Sequence, residues 1–441
     1  MNLRVSILFL FFAGIGQINA QTDPEYSFSL AEAQEYALKN NSTILTSQID
    51  LEIAKKKIWE TTAIGLPQAN GTLAFSHSLT EPKIAELFSG FGGDTSATNG
   101  PEFDFKNSTA VDIMVTQLIF NGAYIVGLQT TKTFKALSEY ALDKSENDLI
   151  EMVTNNYFMV LILRENKMLL DSTLLNSEKV LMEMKANFKA GFIEETDIDQ
   201  MEITLSRIRN IVKSLERQSL IAEKLLKFSI GMDINANISL TESLDSYIES
   251  PDFLNPVTTE FNIDNFPDFK VLKSQEKLMQ LNLKLQKSNV LPAVSAFYAY
   301  HKQLNDNYVD FQPENMVGIQ VTVPLFASGQ NYMKIRQAKL NFEKTKLDVQ
   351  TAADGMHIEF EQARFNYLDA LNKCVTEKTN IETTKKIFDR DLIKYKEGFI
   401  GSMELTLSQN QYLQAQSAYF TAVGELVAAK SKIDKMTSNK N

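Results

Sequence analysis

From Asn121 to about Phe188 the chain has no proline, and its only glycines, Gly122 and Gly127, lie at the start. As one helix, this stretch of roughly 65 residues is on the order of 100 Å long at 1.5 Å per residue. Leu142, Leu149, Val153, Val160, Leu163, Leu170, Leu174, Leu181, Met184 and Phe188 recur at steps of three, four and seven. That spacing predicts a heptad seam, the pattern of a helix packed lengthwise on other helices. Asn156 and Ser177 interrupt the seam without ending it. An ordinary globular domain has no room for such a rod, so the chain has to build something tall.

A second rod runs from about Gly329 to Tyr395, displaced from the first by a constant 207 positions: Leu142 aligns with Val349, Leu149 with Met356, Val153 with Phe360, Val160 with Tyr367 and Leu181 with Phe388. Gly191-Phe192-Ile193 aligns with Gly398-Phe399-Ile400 at the same offset. The neighbouring segments repeat too. Leu66-Pro67 and Leu291-Pro292 each stop a helix, and period-two segments follow. The spacing predicts strands at about 68–79 and 109–120, then 293–303 and 315–326. Return helices are expected at about 197–230 and 402–435, and long helices at about 121–188 and 329–395. The chain therefore reads as an internal duplication: residues 21–231, a polar connector at 232–264, and residues 265–441. Each return helix plus one helix ahead of a strand pair nearly equals a rod in length. The connectors are thus expected to emerge at mid-height, with no separate globular domain.

Residues 1–20 have the pattern of a signal peptide: Arg4, the apolar run Val5–Ile15, and Ile18-Asn19-Ala20 ahead of Gln21. That run is too short to span a bilayer comfortably. No other segment reads as a transmembrane helix. The formal charge of −11 argues against nucleic acid as a partner. Cys374 is the only cysteine, so no internal disulfide forms. His77, His301 and His357 are scattered, with no His or Cys at ligand spacing, so neither a metal nor a cofactor is expected. No catalytic constellation is evident.

In lipid, a spanning backbone without helices has to close as a β-barrel. Four strands with one apolar and one polar face have the length and dyad pattern of membrane strands, yet cannot close alone. Two copies supply eight strands, whose interior side chains would fill. Three supply twelve and leave an aqueous bore, so a homotrimer is expected. Trp59 is expected at the periplasmic rim, and Tyr298 and Tyr300 read either as membrane-interface aromatics or as ordinary packing residues.

Leu30-Ala31-Glu32-Ala33, Ala37-Leu38-Lys39-Asn40-Asn41, the two Leu-Pro stops and the paired Gly-Phe-Ile tips resemble the TolC family of outer-membrane efflux proteins. The resemblance spans nearly the whole mature chain and implies an α+β membrane protein. Its helices would form a long antiparallel coiled-coil barrel in the periplasm, beneath a trimeric 12-stranded transmembrane barrel in the outer membrane of a Gram-negative bacterium. It also implies an exit duct of a tripartite efflux pump or type I secretion system, with no catalysis of its own. A periplasmic adaptor and, through it, an inner-membrane transporter would be the partners, with outer-membrane lipid around the barrel.

On that resemblance, Gly191, Phe192, Gly398 and Phe399 match adaptor-docking hairpin tips; the two glycines read equally as helix caps. Ala190 and Glu397 stand where the family often has valine. A periplasmic gate is expected at Asp389 or Asp391. Spacing to Gly398 favours Asp389, whereas the heptad places Asp391 on the seam, and a solvated charged face is the plain alternative to both. The competing reading of the whole chain is a secreted or periplasmic coiled-coil scaffold or adhesin without a pore.

Overall fold

A computed structural model describes residues 26–80, 107–248, 250, 261–305 and 312–437. The signal-peptide expectation at 1–20 lies outside these residues, as does most of the long loop after the first strand.

A short strand β1 (Tyr26–Phe28) leads to α1 (Leu30–Asn40) and α2 (Ser42–Ala63). Ser29 and Glu32 form a reciprocal capping box at the start of α1. The strands β2 (Gln68–His77) and β3 (Asn107–Phe120) follow, then the long α3 (Gly122–Lys189) and its return helix α4 (Glu195–Ile230). A mid-chain segment contains β4 (Ile238–Leu240), α5 (Leu244–Ile248) and a 3-10 turn (Ile263–Asn265). Helix α6 (Pro267–Ser288), strands β5 (Ala293–Gln303) and β6 (Asn315–Thr322), long α7 (Gln330–Lys396) and return α8 (Ser402–Thr437) complete the order.

Strand β6 stops at Thr322 rather than reaching Phe326. Pro324 has no N–H for the ladder and ends the pairing. Strand β3 starts earlier than expected, at Asn107, and its register slips between Leu118 and Phe120, so Ile119 loses the alternation it shares with Val111–Val115 in the sequence.

The four long strands form one antiparallel sheet in the order β2-β3-β5-β6. The helices repeat that order. In the half next to the sheet, α2 packs on α3, α3 on α6 and α6 on α7; in the far half α4 packs on α3, α3 on α8 and α8 on α7. The chain is thus a slab four elements wide from end to end.

Half-length helices meet end to end against the long ones. At the α4–α2 joint one side chain serves both termini: Asn41 Oδ1 accepts from Thr43 N–H at 2.8 Å, and its Nδ2 donates to Ser229 O at 2.8 Å. Gly231 ends α4 at φ +77°, and a Cβ there would lie 2.5 Å from Asn40 O, so this glycine is required by both conformation and space.

The mid-chain connector is less polar than its sequence suggests. β1 pairs in parallel with β4, Tyr26 opposite Ile238, and Leu240, Leu244 and Ile248 are buried in the core. Tyr157 Oη, from inside α3, donates to Phe28 O at 3.0 Å and anchors this collar to the rods. Ser177 is also placed differently from its reading as a break in the seam. It is buried, donates to Thr173 O at 2.7 Å and accepts a short hydrogen bond from Gln409 Nε2. Phe188, expected on the seam, is 41% exposed.

Candidate functional site

The end of the slab remote from the sheet is built by two matching turns. Phe192 N–H donates to Asn187 O at 3.0 Å and Gly191 N–H to Phe188 O at 2.9 Å; Phe399 N–H donates to Lys394 O at 2.8 Å and Gly398 N–H to Tyr395 O at 3.0 Å. Each is a Schellman motif, which satisfies the last carbonyls of a helix and needs a left-handed residue. Gly191 and Gly398 supply it, at φ +77° and +74°. Nothing lies within 4 Å of a Cβ built on either. Both glycines therefore cap their helices, and the space over them is open.

Phe192 and Phe399 are 80% and 79% exposed, with Met403 and Leu407 also exposed on the adjoining face of α8. Water gains nothing from aromatic rings held out in this way. The tips are tied together by a short hydrogen bond from Ser402 Oγ to Asp197 Oδ1, and by Lys396 Nζ lying 3.1 Å from Glu183 Oε1. Behind them Val180, Met184, Ile198, Met201, Phe388 and Leu405 form a separate apolar cluster.

Asp389 and Asp391 sit two turns before the second tip in different surroundings. Asp391 is half-buried and lies 3.4 Å from Lys394 Nζ. Asp389 is exposed, in no ion pair among the described residues, and near Tyr412. Burial pushes the Tyr412 hydroxyl up to about 12, with the Asp389 charge adding to the rise.

Above the tips, a polar ladder joins the two hairpins at heptad intervals along α8. Ser402 bonds Asp197, Gln409 bonds Ser177, and Gln416 Nε2 donates to Asn166 Oδ1 at 3.0 Å. Gln409 and Gln416 are fully buried, and among the described residues each leaves its amide oxygen without a partner.

At the other end the sheet has two distinct faces. One carries Leu73, Phe75, Val111, Ile113, Val115, Tyr298, Tyr300, Val317, Ile319 and Val321, which the register places side by side. Leu73, Phe75, Val317, Ile319 and Val321 are all largely exposed. The opposite face carries Asn70, Thr72, Ser76, Asp112, Thr116, His301, Gln303, Gln320 and Thr322. Tyr298 and Tyr300 both lie on the apolar face, and Tyr298 Oη donates to Asn315 Oδ1 at 2.6 Å.

Trp59 is exposed one turn before the end of α2, beside the helix–strand junction. There Tyr124 covers Gly65 so closely that a Cβ would meet its hydroxyl at 2.3 Å, and Gln117 Nε2 donates to Gly65 O at 2.7 Å. Sequence reasoning missed Leu325 and Phe326, which are 90% and 88% exposed at the matching junction below β6. Their alignment with Ile119-Phe120, the pair that ends β3, was the available signal.

No helix among the described residues is long and apolar enough to cross a membrane. No group of three or more His, Cys, Asp or Glu among them is arranged to hold a metal.

Residues 263–439 match the family model described as outer membrane efflux protein. Outer membrane efflux protein BepC of Brucella suis biovar 1 (strain 1330) is 20% identical over 409 residues, covering 91% of this chain and 84% of the relative. Among solved structures, the Campylobacter jejuni CmeC outer membrane channel superposes with a TM-score of 0.74 at 16% identity, covering 99% of this chain and 93% of that one. The outer membrane protein VceC of Vibrio cholerae gives a TM-score of 0.73 at 12% identity, with 93% and 97% covered. The open state of the Neisseria gonorrhoeae MtrE outer membrane channel gives 0.72 at 15%, with 92% and 88% covered. At these identities the superpositions establish the fold.

Proposed function

Because residues 263–439 match the outer membrane efflux protein family, which comprises transport ducts rather than enzymes, we propose that three copies of this chain close into one continuous conduit. It is the outer-membrane exit duct of an efflux pump. The observation that carries the trimer is the unpartnered edge on each side of the slab. β2 and β6 are the two edge strands of a four-stranded antiparallel sheet. With an even number of strands, β6 of one copy runs antiparallel to β2 of the next, so rotation about one axis extends the ladder and closes it. An open edge in lipid is otherwise prohibitive.

The helical edges agree with the strands. Leu45, Ile49 and Ile53 on α2, continued by Ile221, Leu225 and Phe228 on α4, leave an exposed apolar stripe at one edge. Met333, Leu340 and Leu347 leave another on α7 at heptad spacing. Two complementary seams on opposite edges suit a head-to-tail ring. Twelve strands then enclose an aqueous bore with the polar face inward, and the apolar face with Tyr298 and Tyr300 meets lipid. Trp59, Leu325 and Phe326 mark the periplasmic rim, where the barrel passes into the helical tunnel.

The recurring element order and the constant 207-residue offset support descent from a duplicated half. The tips are the docking surface for a periplasmic adaptor, which couples the duct to an inner-membrane transporter. Two exposed phenylalanines beside unobstructed glycine turns support that role. Asp389 and Asp391 of three copies gather near the tip as an acidic constriction that binds cations and narrows the bore.

The test is membrane fractionation with heat-modifiable electrophoresis, followed by planar-bilayer recording. A trimer that floats with the outer membrane and conducts is the expected result. Recovery as soluble protein without a trimer would instead favour the coiled-coil scaffold.

A further inference from the structure

The polar face of the sheet carries one ion pair among the described residues. His301 Nδ1 lies 2.6 Å from Asp112 Oδ1, across directly opposed positions of β5 and β3. The pair sits near the loop end of the sheet, two residues before β5 ends at Gln303. Thr72 on β2 stands opposite Asp112. Along the same face the neighbouring positions are Ala110 and Gln303 on one side, Met114 and Ala299 on the other. On the β6 side His301 N–H donates to Glu314 O at 2.9 Å, and Glu314 is the other charged residue beside the ring. Lys302 is on the opposite, apolar face. The imidazole is 15% exposed and the carboxylate 48%, so the Asp112 charge is open to whatever passes.

We propose that Asp112 and His301 determine the charge selectivity of the pore, with His301 as its proton-dependent control. This rests on the three-copy barrel, which brings three such pairs to one level of the bore. Imidazole titrates between about pH 5 and pH 8, where carboxylates stay ionised. With His301 neutral, three Asp112 carboxylates form a triply negative ring that favours cations. As the pH falls, each His301 takes one proton from the bore. Each Asp112–His301 pair then carries no net charge, and the Glu314 carboxylates alone remain at that level, so the preference for cations weakens. The ring acts from inside the membrane barrel, far from the tip carboxylates, and adds a filter that external acidity sets.

The experiment measures the reversal potential of assembled trimers in planar bilayers under a salt gradient. Low ionic strength is needed, because screening over about 10 Å at 0.1 M weakens the ring. Recordings at about pH 8 and about pH 5.5 bracket the imidazole range. The native channel is expected to prefer cations at the higher pH and to prefer them measurably less at the lower. His301→Gln is expected to keep the full cation preference at both, and Asp112→Asn to show a weaker preference than the native channel at about pH 8. A native reversal potential that ignores pH, or a shift that survives in His301→Gln, overturns the proposal. So does a shift abolished by His77→Gln or His357→Gln in place of His301→Gln. Should His301→Gln not assemble, His301→Asn carries the same comparison. A protein with no trimer or no conductance fails as a channel, and this proposal falls with it. A conducting trimer with pH-blind selectivity refutes the pair alone.

Discussion

The Lys435 ammonium, near the end of α8, lies 2.5 Å from Asp148 Oδ1 on α3 and 2.9 Å from Glu151 Oε2. Asp148 is also 3.0 Å from Lys144, which in turn is 2.7 Å from Asp268 at the start of α6. The network therefore spans the joint where α8 ends and α6 begins, and does for one hairpin what Asn41 does for the other. Burial by itself would lower the Lys435 ammonium, but contact with Asp148 and Glu151 outweighs it and pushes the group up to about 12. Burial would raise the Asp148 carboxyl, and Lys435 and Lys144 outweigh that and hold it below the usual carboxylate range.

The sign of the pH dependence follows. Lys435 contributes fully below the ordinary lysine value of about 10.4 and loses its contribution as pH rises through about 12. Asp148 contributes fully above the ordinary value of about 3.9 and loses its share as pH falls through its lower folded value. Melting temperature is thus expected to drop below about pH 4, with a shallower acid limb in Asp148→Asn. Lys435→Met should cost roughly 1–2 kcal/mol, less than breaking a fully buried pair because Asp148 is partly solvated. Thermal melts of the trimer across pH check both.

The two faces of the sheet make a sharper test of membrane insertion. Val317→Arg, on the apolar face, should cost about 2–4 kcal/mol if it lies near the bilayer midplane. It should reduce the yield of membrane-inserted trimer. Gln320→Arg, three positions along on the polar face, should assemble normally. Equal tolerance of both would contradict the assigned faces.

At the tips, conformation and docking can be separated. Gly398→Asn keeps access to the left-handed region and should cost little, whereas Gly398→Val should cost on the order of 1–2 kcal/mol in backbone strain. With nothing near the added side chain, trimers should survive Gly398→Val while export falls. Export at the native level in a strain with an otherwise intact pump would restrict both glycines to capping.

Neutralising Asp389 and Asp391 together should raise leakage of the isolated channel. The single variants discriminate between them. Asp391 already has Lys394 beside it, so Asp389→Asn is expected to change conductance more than Asp391→Asn. The reverse ranking in bilayer recordings would place Asp391 at the bore.

The buried ladder along α8 invites an opposite sign. Gln409→Met removes an amide oxygen that has no partner, while Ser177 keeps its bond to Thr173 O. The change should be within about 1 kcal/mol of neutral, because relieving an unsatisfied acceptor offsets the lost hydrogen bond. A large loss of Tm would mean that the ladder holds the hairpins together.

What was legible in the chain was what repeats. Heptads marked Val153, Val160, Phe360 and Tyr367 as seam residues, and all four are buried. Period-two alternation separated Val317, Ile319 and Val321 from Gly318 and Gln320. Gly191 and Gly398 announced turns. What was hidden has no period. β1 and β4 are three residues each and far apart in sequence, so nothing local signals their pairing. Ser177 looked like a flaw because its partner, Gln409, comes from the other hairpin. Spacing placed Asp389 and Asp391 differently because each count used a different reference point, whereas burial and the ion pair to Lys394 distinguish their surroundings.

The open edges at β2 and β6 also bear on inheritance. A ring needs every one of its junctions, so a subunit with a blunted β6 still offers a sound β2 and joins wild-type neighbours before the defect tells. In a cell carrying both alleles, every mixed ring would contain at least one failed junction. Edge mutations should therefore behave as dominant negatives, whereas loss-of-expression alleles of the same gene should be recessive.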